Sequence, residues 1–257
     1  MELVILQHLP QLPAGLLGEV VGSRGRPTRV VHLWEGDPLP GPVDGMRALV
    51  VLGGDGTVAV AQRDAARELL AAGVAAGVPV LGLCLGAQLL AEAAGGRAEP
   101  GVGALGYVPV ERTVEGTADP VLAAYPDGMA ALFLDADRIV PGDGAVPLAR
   151  DGQDEVVAFR VGETAYGITF HAELDAGLIE ALVAAPSMRA RLEAGGVDPD
   201  GLVVQARRRD VFSRGTGAAL LGRWVDVVVG RTEAEAPWGR RGPQPVPAPG
   251  LSLHPAQ

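Results

Sequence analysis

Short apolar runs alternating with stretches of helical periodicity organise the first hundred residues. "LVILQ" (3–7) is a β-rich run, and the segment after Pro13 reads as a helix ending near Gly22. "TRVVHLW" (28–34) is a second strand and "ALVVLGGDG" (48–56) a third that stops at two glycines. "AVAQRDAARELLAAG" (59–73) repeats its apolar positions at helical spacing and leaves a charged face outward. "VPVLGLC" (78–84) predicts a fourth strand, and "LGAQLLAEAAGG" (85–96) a helix with glycines past its end. This alternation predicts an α/β fold: an open, mostly parallel twisted sheet with helices on both faces.

From about residue 97 the texture changes. Strand-like pieces follow at "LGYVPVER" (105–112), "MAALFL" (129–134), "AVPLAR" (145–150), "EVVAFRV" (155–161) and "TAYGITF" (164–170). "AELDAGLIEALVAA" (172–185) then predicts a helix. The expected organisation is a main domain over 1–188, a helical extension over 189–238 and a Pro-rich, disordered tail over 239–257.

Composition narrows the function classes. Hydrophobic residues make up 48% of the chain and aromatics only 4%, so the core is built from Ala, Val and Leu. With 21 basic against 31 acidic residues the net charge is -10, which disfavours nucleic acid or an anionic membrane as partner. The amino-terminal apolar run is too short to cross a bilayer and has no basic flank. A single cysteine cannot form an internal disulfide, and the reading is a cytoplasmic protein. His8, His32 and His254 have no partner spacing that suggests a metal site, so neither metal nor cofactor is expected.

That single cysteine, Cys84, falls at the end of the fourth predicted strand, where open α/β sheets bind ligands. Gly82-Leu83-Cys84-Leu85-Gly86 has the form of a nucleophile elbow, in which small flanking residues avoid clashes around a strained central residue. A sulfur there meets the unpaired N–H groups and positive dipole end of the following helix, and the N–H of Leu85 points at an oxyanion formed beside it. The competing reading is that Cys84 is a small buried hydrophobe, as most free cysteines are.

"GVPVLGLCLGAQLLAEAAGG" resembles the nucleophile segment of class I glutamine amidotransferases, and "YGITFHAELD" (166–175) resembles the segment that supplies their His and Glu. "ILQHLPQLPAGLLGEVV", "EGDPLP" and "VVLGGDGTVA" make the resemblance strongest to stand-alone members similar to the amidotransferase domain of GMP synthetase. It runs from about residue 3 to 185 and implies a flavodoxin-like fold. It also implies that Cys84 attacks the side-chain amide of glutamine, that His171 moves the proton and that Glu173 orients the imidazole. Gly54 and Leu85 would supply the oxyanion hole, and Gln88 and Gly53 would contact substrate. Ammonia would pass to a separate synthetase, since the chain has no "SGGxDS" loop or Walker pattern. Three positions depart from the family pattern: Ala172 and Asp55 stand where proline is usual, and "FLDAD" (133–137) stands where a "WHGD"-like segment is common.

Other readings stay open: a free-standing γ-glutamyl hydrolase using the same residues, a catalytically silent regulatory domain, and a cysteine-elbow protein of the chaperone and glyoxalase-like kind. Homo-oligomerisation is open as well. The composition of the tail carries an immediate expectation. Deleting residues 239–257 should leave fold and activity intact, because too little apolar surface is present there to offset ordering. A melting temperature lowered by more than a few degrees would show that the tail docks.

Overall fold

The structure, a computed structural model, describes residues 1–99, 105–134 and 137–230. The expected tail therefore lies outside the described residues, as does part of "FLDAD". β1 (Glu2–Gln7), β2 (Thr28–His32), β3 (Met46–Val51) and β4 (Val80–Leu83) form where the apolar runs predicted strands. They are joined through α1 (Gly15–Ser23) and α2 (Val60–Ala76), and β4 leads directly into α3 (Leu85–Ala93). β5 (Arg97–Glu99), β6 (Gly106–Arg112), a short α4 (Val114–Ala118), β7 (Met129–Phe133) and β8 (Arg138–Val140) follow. β9 (Ala145–Asp151), β10 (Val156–Val161) and β11 (Ala165–Ile168) complete one sheet. α5 (Ala176–Val183), α6 (Pro186–Ala194) and α7 (Pro199–Arg223) end the chain described, with α7 running on into a π-helical turn, Trp224–Val229.

The main path through the sheet is β2-β1-β3-β4-β11-β10-β9-β6-β7. β2, β1, β3, β4 and β11 pair in parallel, whereas every described pairing from β10 outward is antiparallel. The α/β class stands, and the sheet is mixed rather than mostly parallel. The physical reason lies in the connections: helices bridge the first strands, while short turns join β9, β10 and β11 and can only reverse the chain. The three-residue strands β5 and β8, which pair with each other, carry too short an apolar pattern to be visible in the sequence. The segment predicted as helix from 172 begins only at Ala176, because Asp175 caps it by accepting the Leu178 N–H at 2.9 Å.

Two apolar layers sandwich the parallel strands. Leu3 and Ile5 of β1 join Leu16, Leu17, Val20 and Val21 of α1 on one face, and Val4 and Leu6 join Ala66 and Leu70 of α2 with Leu89 and Leu90 of α3 on the other. This is the period-two alternation of a strand buried on both sides. Leu220, Leu221, Trp224, Val225, Val228 and Val229 belong to the same buried cluster as α1 and the sheet, so residues 1–188 and 189–230 share one core. Among the described residues no helix is long and apolar enough to cross a membrane.

Trp224 is fully buried in that layer. Trp224→Ala should cost about 3–5 kcal/mol in urea unfolding, the usual range for a buried tryptophan. A change below about 1 kcal/mol would mean that the C-terminal helix does not contribute to the core.

Candidate active site

β3 and β4 run parallel, so the Gly53-Gly54 loop after β3 and Cys84 after β4 emerge at the same edge of the sheet. β11 lies beside β4 in parallel and delivers His171 to that edge too. The local geometry at Cys84 is strained: φ is 52° and ψ -112°, in a residue that is not glycine. Its N–H donates to the Ile168 carbonyl of the β11 strand at 2.8 Å, and its carbonyl accepts the Ala87 N–H at 2.9 Å as α3 begins. The flanking glycines are sterically required. A Cβ on Gly82 would collide with the Gly86 carbonyl, and one on Gly86 with the Val51 carbonyl of β3. The elbow is therefore pressed against the neighbouring strand, and the strain at Cys84 is fixed by its surroundings.

His171 and Glu173 are both buried. His171 starts the turn after β11 with its N–H donated to the Leu132 carbonyl at 2.8 Å, and its Nδ1 lies 2.7 Å from Glu173 Oε1. The carboxylate thereby fixes Nδ1 as the protonated nitrogen and leaves Nε2 for the sulfur. The ring and the Cys84 side chain line the same cavity. Burial alone would push the imidazole pKa down, but the charges of Glu173 and Cys84 and hydrogen bonds to both overcome it and hold the pKa well above the ordinary 6.5. Glu173 Oε2 has no hydrogen-bond partner among the described residues, so the carboxylate has His171 as its compensating group.

Gly53 lies against the pair: a Cβ there would sit 3.4 Å from His171 Cε1 and 3.5 Å from Cys84 Cβ. Gly54 is packed under Leu85 and Val58, and a Cβ there would press on both side chains. Leu85 is the first residue of α3, so its N–H has no acceptor within the helix. Gln88 is buried on the first turn of α3 and lines a small pocket with Cys84, Asp137 and Thr169. All seven residues singled out in the sequence thus fall around one edge of the sheet. Asp55, unusual for its position, turns its carboxylate back onto the N–H and hydroxyl of Thr57.

A cavity of about 400 Å³ opens above Cys84 and His171. Its walls include Leu9 and Leu12 from the loop after β1, Trp34, Leu134, and Leu182 and Met188 from α5 and α6. Sequence reasoning did not single out these wall residues, although "HLPQLP" and "SMRARL" flank elements that it placed. His8, behind Gly54, is buried, and burial drives its pKa down and keeps the ring neutral.

Residues 43–181 match the family model for class-I glutamine amidotransferases. Over 143 residues the chain is 32% identical to a pyridoxal 5'-phosphate synthase subunit PdxT from Geobacillus kaustophilus, covering 52% of this chain and 72% of that protein. It is 37% identical over 101 residues to a glutamine-hydrolyzing GMP synthase subunit from Methanoregula boonei, where the match covers 38% of this chain and 53% of that protein. The solved structure of a glutamine amidotransferase from Thermotoga maritima superposes with a TM-score of 0.75 at 21% identity, over 88% of this chain and 98% of that one. A glutamine amidotransferase from Methylobacillus flagellatus gives 0.74 at 20% identity, over 88% and 94%. These two likenesses show the fold. The family-model match extends over more than half of the sequence and includes the elbow and the His-Glu turn, and the chain belongs to the class-I glutamine amidotransferase family.

Proposed function

We propose that the chain is a glutaminase of the amidotransferase kind, hydrolysing the side-chain amide of glutamine and supplying the ammonia to a separate acceptor enzyme. The observation that carries this reading is the buried constellation of Cys84, His171 and Glu173, with a strained sulfur-bearing residue at a helix start. Cys84 attacks the amide carbon, its proton is held on His171, and the tetrahedral oxyanion is met by the N–H groups of Leu85 and Gly54. His171 then gives the proton to the leaving nitrogen. Ammonia departs and a γ-glutamyl thioester remains. Water, deprotonated by His171, cleaves the thioester to glutamate and returns the thiol. Glu173 keeps the imidazole in the tautomer that this sequence needs. Gln88 and Gly53 contact the glutamyl part beside the sulfur. The two relatives compared are named as subunits of synthases, which supports an acceptor on another chain.

The size of the cavity favours a second reading. The cavity of about 400 Å³ over Cys84 and His171 has to hold the whole substrate, glutamyl part included, and it is open enough to admit an amine larger than ammonia. A γ-glutamyl hydrolase acting on an amide with a larger amine would use the same three residues. Comparing free glutamine with a series of γ-glutamyl amides as substrates separates the two. Preference for glutamine by kcat/KM supports the first reading, and preference for a substituted amide the second.

The glutamine analogue 6-diazo-5-oxo-norleucine should alkylate Cys84 and leave Cys84→Ser unlabelled, as read by mass spectrometry. Absence of an adduct on the folded protein would remove the proposed nucleophile. His171→Ala should lower glutamine hydrolysis about 10²- to 10⁴-fold, the range for a general acid–base group. Glu173→Gln should lower it less, because orienting a base contributes less than being one.

A further inference from the structure

The segment from His171 to Ala176 carries the buried pair and then enters α5, and one stripe of α7 runs along it. Asp210, Arg214 and Gly217 are spaced four and three apart and so share a helix face. Asp210 accepts the Ala176 N–H at 2.9 Å. Arg214 bridges the Asp175 carboxylate and Glu19 of α1, the latter at 2.9 Å. Gly217 is buried against the Ala172 carbonyl, so closely that a Cβ would collide with the oxygen. From the neighbouring α1 the Leu16 N–H donates to the Glu173 carbonyl at 2.8 Å, and Gly15, at φ +47°, likewise has no room for a Cβ against that oxygen. Two successive carbonyls of the His-Glu turn are thus each backed by a glycine from a different helix.

We infer that α7 is a positioning element for the reacting site, and that Gly217 sets the placement of Ala172 and through it the separation of His171 from Glu173. The inference rests on the reading of Cys84, His171 and Glu173 given above. Ala172 is the one residue between the pair, and His171 is already tied at its N–H to Leu132. Where the Ala172 carbonyl lies therefore decides where the Glu173 carboxylate meets the ring. A glycine in a helix interior is less favourable than alanine, and close approach of backbone to backbone is what a glycine permits there. Gly215, two residues earlier on the same helix, has nothing within reach of a Cβ. It provides a matched control.

The test compares Gly217→Ala with Gly215→Ala in the full chain. One readout is kcat and KM for glutamine. The other is an NMR titration of ¹³Cε1-labelled histidine, with the His171 signal among the chain's 4 histidines assigned by its loss in His171→Ala. For Gly217→Ala, kcat should fall about 10- to 100-fold, the effect of a misplacement near 1 Å. KM should change by less than about threefold, because ground-state binding is left in place. The raised pKa of His171 should move down toward the ordinary imidazole range as Glu173 separates from it. Gly215→Ala should match the wild type in both. Wild-type kcat and an unmoved His171 titration in folded Gly217→Ala would overturn the inference. If Gly217→Ala does not fold, the pair Arg214→Ala and Arg214→Lys decides: a lowered kcat and His171 pKa partly restored by lysine support the clamp, and two variants identical to wild type refute it. Should wild type fail to hydrolyse glutamine, the glutaminase reading falls, while the titration still reports on the clamp.

Discussion

Glu173 is buried with one oxygen that meets no donor among the described residues, so the desolvation of its charge is offset chiefly through the 2.7 Å contact to His171. Such a pair holds only if both groups are fixed, because removal of either leaves a charge or a polar ring stranded in the interior. The consequences run in both directions along the chain. On the side of chemistry, the carboxylate fixes the tautomer of the ring and, together with the sulfur, holds its pKa well above 6.5 in spite of burial. On the side of structure, the backbone between the two residues must be held by packing, since neither side chain can relax toward water.

The sulfur is held by a different device. Its strained φ and ψ are imposed by a β4-to-α3 turn squeezed against β3, and the two glycines at either side are what allow the squeeze. Parallel pairing of β3, β4 and β11 then brings the glycine loop, the elbow and the His-Glu turn to the same edge without further adjustment. The antiparallel part of the sheet brings Phe133 of β7 and Asp137, just ahead of β8, to the small pocket beside Gln88, while the parallel half carries Cys84, Thr169 and His171.

The family-model match ends at residue 181, yet the core does not. α6 adds Met188 to the wall of the large cavity, and α7 with the π-helical turn after it fills the layer over the sheet with Leu220, Leu221 and Trp224 while the exposed side of α7 keeps Arg207 paired with Glu180. The same helix therefore closes the apolar face and backs the turn that bears His171. Core packing and site geometry are set by one element.

The order of strands and helices from β1 to α3, the elbow around Cys84 and the proximity of His171 to Glu173 were legible in the chain alone. Each of these is local: alternation and helical spacing record which face of an element is buried, and two residues two positions apart cannot be far from one another. Three features came only with packing: the sheet reverses after β11, the cavity wall takes Leu9, Trp34 and Met188 from three separate segments, and Gly217 meets the carbonyl of Ala172, 45 positions earlier in the chain (217 minus 172). Among 37 glycines nothing local marks Gly217, because a close approach between distant backbones is a property of how layers pack and leaves no period or motif in the chain.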